Sequence, residues 1–267
     1  MDYNDYTNPQ LQELIYDMQI NENYNKGGRC KASVDQHCMW IQDVLLQNRT
    51  KLRITDLGCG VGHYTHALAR YNHICTGIDI SKLAIDNANN HKPKNTQCNF
   101  IQLDITKDPF PSNSDLIICT YSTFNCFDRS QAKRLLDNAF RSLSKTGALY
   151  FEPMSYLHDP SLNSPLLSAI RSEGDDFYCQ NEYILVQERT HTSGKEDPQL
   201  SLQNFIVDLG SLRVEKHTLK LYLYTKKQYE NMLTDCGFVN IKFFSDPPPG
   251  ADENDGIPYY YIVANKP

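Results

Sequence analysis

The stretch Arg53-Ile54-Thr55-Asp56-Leu57-Gly58-Cys59-Gly60-Val61-Gly62-His63-Tyr64 leaves a chain few ways to fold. An apolar run ends in Asp56, glycines stand at 58, 60 and 62, and the helical spacing of Tyr64, Leu68 and Tyr71 follows at once. That order predicts a strand, a tight turn and a helix. Glycine tolerates positive φ and lets backbone approach a ligand, and the N–H groups that open a helix suit an anion such as a pyrophosphate or a carboxylate. The same glycines could serve only as a tight turn, so the neighbouring strands decide. Ile74 to Asp79 reads as a second strand ending in an acid about twenty positions after the glycines, where doubly wound sheets place a carboxylate on ribose hydroxyls. Phe100 to Leu103 reads as a third, stopping at Asp104. Successive strands that end in Asp mark the edge where open α/β sheets bind ligands.

Asp56 to Gly62, Asp79 and Asp104 together resemble the class I S-adenosylmethionine-dependent methyltransferases, over roughly residues 51–152 and, less fully, from Tyr224 onward. The resemblance implies an α/β fold with a seven-stranded, mostly parallel, doubly wound Rossmann-like sheet, and S-adenosylmethionine as cofactor. It implies that the loop of Asp56, Gly58 and Gly60 holds the methionine portion, that Asp79 bonds the ribose hydroxyls and that Asp104 binds the adenine amino group. Ile80, Ile105 and Thr120, beside the same strand ends, complete that half of the implied site. A dinucleotide dehydrogenase fits less well, because its fingerprint wants Gly-x-Gly-x-x-Gly, whereas position 63 is His and no glycine follows until Gly77.

Composition narrows the partners. With 267 residues, 40% apolar and 22% charged, the chain can bury a core as one domain with an insertion. A net charge of −6 and no basic run longer than Lys226-Lys227 argue against a nucleic-acid groove. The polar, acidic start Met1 to Tyr6 has no signal peptide or membrane-length apolar stretch, so a soluble cytoplasmic protein is expected, with no membrane partner. Nine cysteines without a Cys-x-x-Cys pair read as buried free thiols, and no metal is expected at Cys30, His37 and Cys38. His63, His66 and His73 read as a solvated helix face.

In chain order, residues 1–50 form a helical arm or lid: a helix from Leu11 to Ile20 with Leu11, Leu14, Ile15 and Met18 on one stripe, a glycine loop, and a helix from about Asp35 to Leu46 with Val34, Cys38, Ile41 and Leu45 inward. The family resemblance makes Tyr24 and Arg29 in that loop candidates to close over the cofactor and bind its carboxylate. Residues 51–152 and 225–267 form the cofactor-binding domain. Asp115 to Cys119 is a buried central strand, and Thr120 to Phe127 leaves its carboxyl end beside the crevice. Ser130 caps a helix to about Leu143, Lys145 to Gly147 breaks it, and Ala148 to Glu152 is the fifth strand. Residues 153–224 are far longer than a crossover requires. Tyr183–Arg189, Leu200–Val207 and Leu212–Tyr224 read as an antiparallel β insertion, a flap over the active-site edge that could also form a homodimer interface. Lys226 to Cys236 is the last helix, followed by strands Val239 to Phe244 and Ile257 to Ala264.

The chemistry implied is in-line methyl transfer, which depends on alignment and exclusion of water more than on a nucleophilic side chain. Tyr121, Asn125 and His158 are the catalytic candidates, His158 or Glu152 serving as base if the acceptor is a hydroxyl. An aromatic, hydroxyl-bearing lining from Tyr121, Phe124, Asn125, Phe127, Tyr156, Tyr222 and Tyr224 suits a small, partly apolar acceptor methylated on nitrogen or oxygen. The alternative is a catalytically silent relative that binds the cofactor and acts as a partner or regulatory subunit.

Overall fold

Central strands whose residues alternate between two apolar faces need helices on both sides, and this chain supplies them. The computed structural model describes residues 8–20, 28–155, 166–174, 179, 181–192, 199–251 and 259–267. β1 (Arg53–Leu57), β2 (Ile74–Asp79), β3 (Gln97–Gln102), β4 (Ser114–Cys119) and β5 (Leu143–Phe151) pair in parallel. β11 (Tyr261–Asn265) runs antiparallel to β5 and β10 (Val239–Phe244) antiparallel to β11, giving a seven-stranded sheet in the order β10-β11-β5-β4-β1-β2-β3. Ile54, Leu116, Ile118 and Tyr150 pack on one face with Val34 and Cys38 of α2 (Lys31–Trp40) and Leu68 of α3 (His63–Ala69). Leu57, Ile117, Cys119 and Phe151 face the other way, onto Leu135 and Leu136 of α5 (Arg129–Ser142) and Leu233 of α6 (Lys226–Asp235). α4 (Lys82–Asn90) covers β3 through Ile85, Ala88 and Phe100. None of the described helices is long and apolar enough to cross a membrane.

Several elements depart from expectation for local reasons. α1 begins earlier, at Pro9, and runs to Ile20. α2 runs only to Trp40 and passes into a π-turn, Ile41–Leu45, closed by Leu46 N–H on the Ile41 carbonyl at 2.9 Å. The extra residue in that turn advances the register by one, so Leu46, not Leu45, is the buried position. Asp128, not Ser130, caps α5, in a capping box with Gln131. The Lys145 to Gly147 segment belongs to β5, which starts directly after α5. His66 and His73 are buried, on the Ala88 carbonyl and on Gln42 respectively, and are not a solvated face. All nine cysteines are free, with Cys38, Cys75 and Cys119 buried.

The insertion forms a separate four-stranded meander, β6 (Leu166–Ser172), β7 (Tyr183–Thr192), β8 (Gln199–Asp208) and β9 (Val214–Tyr222). β6 is unexpected from sequence. It is an edge strand open on both sides, with Leu167 73% and Ile170 61% exposed, so it carries no alternation to read. The Ser193-Gly194 turn and Ile257 lie outside the described residues.

A closed ring of buried hydrogen bonds ties the segment before the sheet to the sheet itself. Arg29 Nη1 donates to Glu152 Oε2 at 2.6 Å and to Tyr64 Oη at 2.8 Å. Tyr64 Oη lies 2.8 Å from His37 Nδ1, His37 Nε2 lies 2.9 Å from Tyr150 Oη, and Tyr150 Oη donates to Glu152 Oε1 at 2.6 Å. Tyr150 spends its proton on Glu152, so His37 donates from Nε2. Burial depresses the His37 pKa to about 4, so the ring is neutral, its Nδ1 accepts from Tyr64, and its 3.3 Å approach to Glu152 is not an ion pair. Burial also acts to raise the pKa of Glu152, but Arg29, Tyr150 and the Tyr121 N–H outweigh it and hold the group below its ordinary value.

Arg29→Met strands the Glu152 carboxylate in the interior and should lower stability by about 3–5 kcal/mol in urea unfolding. His37 and His66 both have folded-state values of about 4 against 6.5 unfolded, so their contribution is complete above pH 6.5 and is lost as pH falls through 4. Urea midpoints should drop over that window; midpoints that stay level would contradict the neutral assignment.

Candidate active site

The three strand ends expected to carry the ligand converge on one cavity of about 400 Å³. At one end it is lined by Gly58 from the turn after β1, Asp79, Ile80 and Ser81 after β2, and Leu103, Asp104 and Ile105 after β3. Tyr121, Ser122, Thr123, Cys126 and Phe127 form a wall from the loop after β4. Met154, with Asn204, Leu219 and Leu221 of the insertion sheet, closes the other end. α1 adds Gln12, Ile15, Tyr16, Met18 and Gln19 to the lining.

The glycine turn is built for close approach. Gly58 has φ +71°, and a Cβ there would sit 2.7 Å from Thr123 Cγ2. Gly62, at φ +86°, caps α3, and a Cβ would meet the Phe100 ring at 2.6 Å. The Gly60 N–H does not await an anion, because it donates to Asp79 Oδ2 at 2.8 Å. That bond, with Ser81 N–H on Oδ1 at 2.9 Å, aims the Asp79 carboxylate at the cavity. Burial raises its pKa. Asp104 is held lower: burial opposes ionisation, but Lys107 and the Thr106 hydroxyl and N–H more than compensate. A carboxylate at each of two successive strand ends, each beside an isoleucine, with bare backbone at Gly58, fits a ribose, a flat base and an amino-acid tail in one run.

The expected residues fall into three groups. Gly58, Asp79, Ile80, Asp104, Ile105 and Tyr121 line the cavity. Asp56, Gly60, Thr120, Arg29 and Asn125 do not. Asp56 is buried beneath the turn, accepting the Thr65 hydroxyl at 2.7 Å, and Gly60 lies under the side chain of Gln19. Thr120 uses its carbonyl to hold Thr123. Arg29 is engaged in the ring around Glu152, and its guanidinium carbon stands 5.5 Å over the Tyr121 ring. Asn125 is fully buried and braces the fold, with Nδ2 on the Tyr222 carbonyl at 2.7 Å and Oδ1 taking the Met154 N–H at 2.7 Å. The 3-10 turn Thr123–Cys126 causes this, turning Phe124 and Asn125 inward and leaving Cys126 and Phe127 on the cavity. Glu152, a candidate base, is likewise structural, and Tyr224 is core. Tyr24, Tyr156 and His158 lie outside the described residues.

Glu152 nevertheless reaches the site through the backbone. Its Oε2 accepts the Tyr121 N–H at 3.0 Å, and both Tyr121 (φ +50°) and Ser122 (φ +56°) are left-handed, a conformation non-glycine residues hold only when their surroundings enforce it. The cavity residues of α1 and of β8 and β9 were not legible as such. Ile15, Met18, Leu219 and Leu221 read as ordinary core stripes; only the Tyr16, Gln12 and Gln19 mixed into the helix hinted at a wet face.

This strand order, with the antiparallel β11 between β5 and β10 and acids at the ligand edge, defines a methyltransferase-type α/β fold. Residues 54–147 match the family described as Methyltransferase domain. A ubiquinone biosynthesis O-methyltransferase of Coxiella burnetii is 32% identical over 107 residues, 38% of this chain, and the match spans 43% of that enzyme's length. YqeM of Bacillus subtilis, itself only inferred to be a methyltransferase, is 26% identical over 82% of this chain and 87% of its own. Among solved structures, S-adenosylmethionine-bound CalS10, an amino pentose methyltransferase of Micromonospora echinaspora, superposes with TM-score 0.63 at 15% identity, covering 95% of this chain and 97% of that one. Residues 54–147 thus match a methyltransferase domain, and the chain shares its fold with solved S-adenosylmethionine-dependent methyltransferases.

Asp56 gives a test of the buried turn. Burial raises its pKa to about 7 from 3.8, so its contribution to stability is complete below 3.8 and is lost as pH rises through 7, opposite in sign to the histidines. Asp56→Asn should therefore gain on the wild type between pH 5 and pH 8 in urea unfolding. A difference that does not change with pH would show that Asp56 does not titrate there.

Proposed function

We propose that the protein transfers the methyl group of S-adenosylmethionine to a nitrogen or oxygen of a small-molecule acceptor. The observation that carries this is the single cavity running from Gly58, Asp79 and Asp104 to Met154, Leu219 and Leu221. One end suits a nucleoside with an amino-acid tail; the other is apolar and roofed. A silent cofactor-binding relative would have no use for the second half. When bound, the cofactor supplies a sulfonium methyl: the acceptor lone pair forms a bond to that carbon, the carbon–sulfur bond breaks with its electrons left on sulfur, and the acceptor's surplus proton passes to water.

The chain's part is to bind, aim and exclude solvent. Asp79 holds the ribose as a double acceptor, Ile80 and Ile105 sandwich the base, and Asp104 reads its amino edge. Tyr121, fixed by Glu152 behind it, borders the transfer point. We assign residues 1–50 to the lid, 51–152 and 225–267 to cofactor binding, and 153–224 to selection of the acceptor, in a cytoplasmic enzyme. The related ubiquinone biosynthesis O-methyltransferase and the amino pentose methyltransferase of similar fold support a small acceptor.

Asp79→Ala removes both ribose hydrogen bonds and should weaken S-adenosylhomocysteine binding at least about a hundredfold in calorimetry while the protein stays folded. Unchanged affinity would sink the cofactor assignment. Replacing residues 182–224 with a short linker should preserve cofactor binding and abolish turnover; a folded deletion that no longer binds would contradict the division of labour.

A further inference from the structure

The loop that leaves β4 spans the join between the two halves of the cavity. On the cofactor side Thr123 packs on Gly58 so closely that a Cβ there would sit 2.7 Å from Thr123 Cγ2, and on the roof side Asn125 Oδ1 takes the Met154 N–H at 2.7 Å. The methyl has to be delivered at that join. Tyr121 and Ser122 line the cavity at the head of this loop, with φ of +50° and +56°. Neither is glycine, and left-handed backbone at two successive residues with side chains persists only where neighbours enforce it. Glu152 does so twice, its carboxylate taking the Tyr121 N–H at 3.0 Å and its carbonyl the Ser122 N–H at 3.1 Å.

The consequence falls on the Ser122 side chain. A serine that precedes a helical turn ordinarily has extended backbone and folds its hydroxyl back onto the first N–H groups of that turn. Ser122 gives its carbonyl to the Asn125 N–H at 2.8 Å, but its backbone is left-handed and its side chain makes no capping bond. Next to it Thr123 Oγ1 is engaged on the Thr120 carbonyl at 3.0 Å, whereas Ser122 Oγ bonds to none of the described residues. A half-buried hydroxyl thus borders the cavity with its lone pairs and its proton uncommitted among the described residues.

We propose, resting on the methyltransferase reading above, that the Ser122 hydroxyl holds the atom that takes the methyl. Its Oγ accepts a hydrogen bond from an N–H or O–H of the acceptor's reacting group and turns the lone pair of that group onto the sulfonium carbon. As the new bond to carbon forms and the carbon–sulfur bond breaks, positive charge builds on the nitrogen or oxygen. Its hydrogen becomes a stronger donor, so the bond to Oγ tightens before the proton passes to water. An interaction that strengthens toward the transition state raises kcat, here as an addition to the alignment that the two ends of the cavity provide. The reacting atom must carry a hydrogen until transfer, which makes the acceptors primary and secondary amines or hydroxyl compounds, and not tertiary amines or thioethers.

The test uses the full chain, labelled S-adenosylmethionine and small acceptors of both kinds. Benzylamine, N-methylbenzylamine, phenol and catechol carry a hydrogen on the reacting atom; N,N-dimethylbenzylamine and thioanisole do not. The wild type should turn over members of the first group at least about tenfold faster in kcat/KM than either of the second, since a site built to hydrogen-bond a group discriminates against its absence. Ser122→Ala should lower kcat on the first group by about tenfold, with KM and S-adenosylhomocysteine affinity within about threefold of wild type. Ser122→Gly should lose as much kcat while its urea midpoint stays at or above that of the wild type, because glycine takes a φ of +56° without strain. A merely structural serine would not combine unimpaired stability with slower turnover. A Ser122→Ala enzyme with wild-type kcat, a wild type that does not favour the first group, a Ser122→Gly loss of turnover accompanied by a lower urea midpoint, or no turnover of any acceptor although S-adenosylhomocysteine binds, would each overturn the assignment. Failure of the wild type to bind S-adenosylhomocysteine would instead overturn the reading on which it rests.

Discussion

Arg29 and Glu152 form an ion pair with no exposed side-chain surface, and most of what is particular to this molecule hangs on it. An unpaired charge at that depth would cost several kcal/mol, so the two residues must stay together. Holding them together fixes four otherwise separate pieces of chain: the segment leading into α2, the first turn of α3 through Tyr64, the end of β5, and the Ala251 carbonyl, which accepts from Arg29 Nη2 at 3.1 Å. The ring of tyrosines and histidine spends every available proton in a way that leaves Glu152 ionised. The remaining capacity of Glu152 goes to the Tyr121 N–H, so the loop bordering the cavity inherits its shape from a charge pair that never touches the ligand space.

Much of the fold was legible because it rests on short-range pattern. Apolar runs bounded by glycine, and acids at fixed distances after them, gave the first strands of the sheet and the ligand edge. What lay beyond the sequence was decided by partners remote in the chain. Arg29 looks like a loop cation until Glu152 is placed beside it, and Asn125 looks like a pocket amide until a 3-10 turn rotates it onto Tyr222 and Met154. His66 and His73 look solvated until helix packing buries them. The π-turn after α2 shifted a buried leucine by one position, which no periodicity announces. β6 was invisible because an edge strand exposed on both faces has no pattern to enforce.

The cavity divides its chemistry by distance from the sheet. Charge and bare backbone lie next to the strand ends, where the parallel strands fix them within short turns. Hydrocarbon lies in the roof, borrowed from a separate antiparallel sheet. A reaction that needs geometry more than proton transfer is well served by such a division, because the alignment of the two ends can be set by how the sheets pack and not by the placement of one catalytic side chain.

The strand order also sets a sequence of events during synthesis. β5 is central in the finished sheet, but Phe151 has no partner on its outer side until Ile262 is made, after the insertion, α6 and β10. The insertion meander pairs only neighbours in sequence, so its contacts are local and it can form while the larger sheet still has an open edge. As the chain emerges, the parallel strands β1 to β5 must therefore persist with β5 as a bare, strongly apolar margin, the form most prone to pair with the wrong chain. A chain cut short before β11 would keep its glycine turn and both ligand-facing acids and yet lack the strand that seals its core.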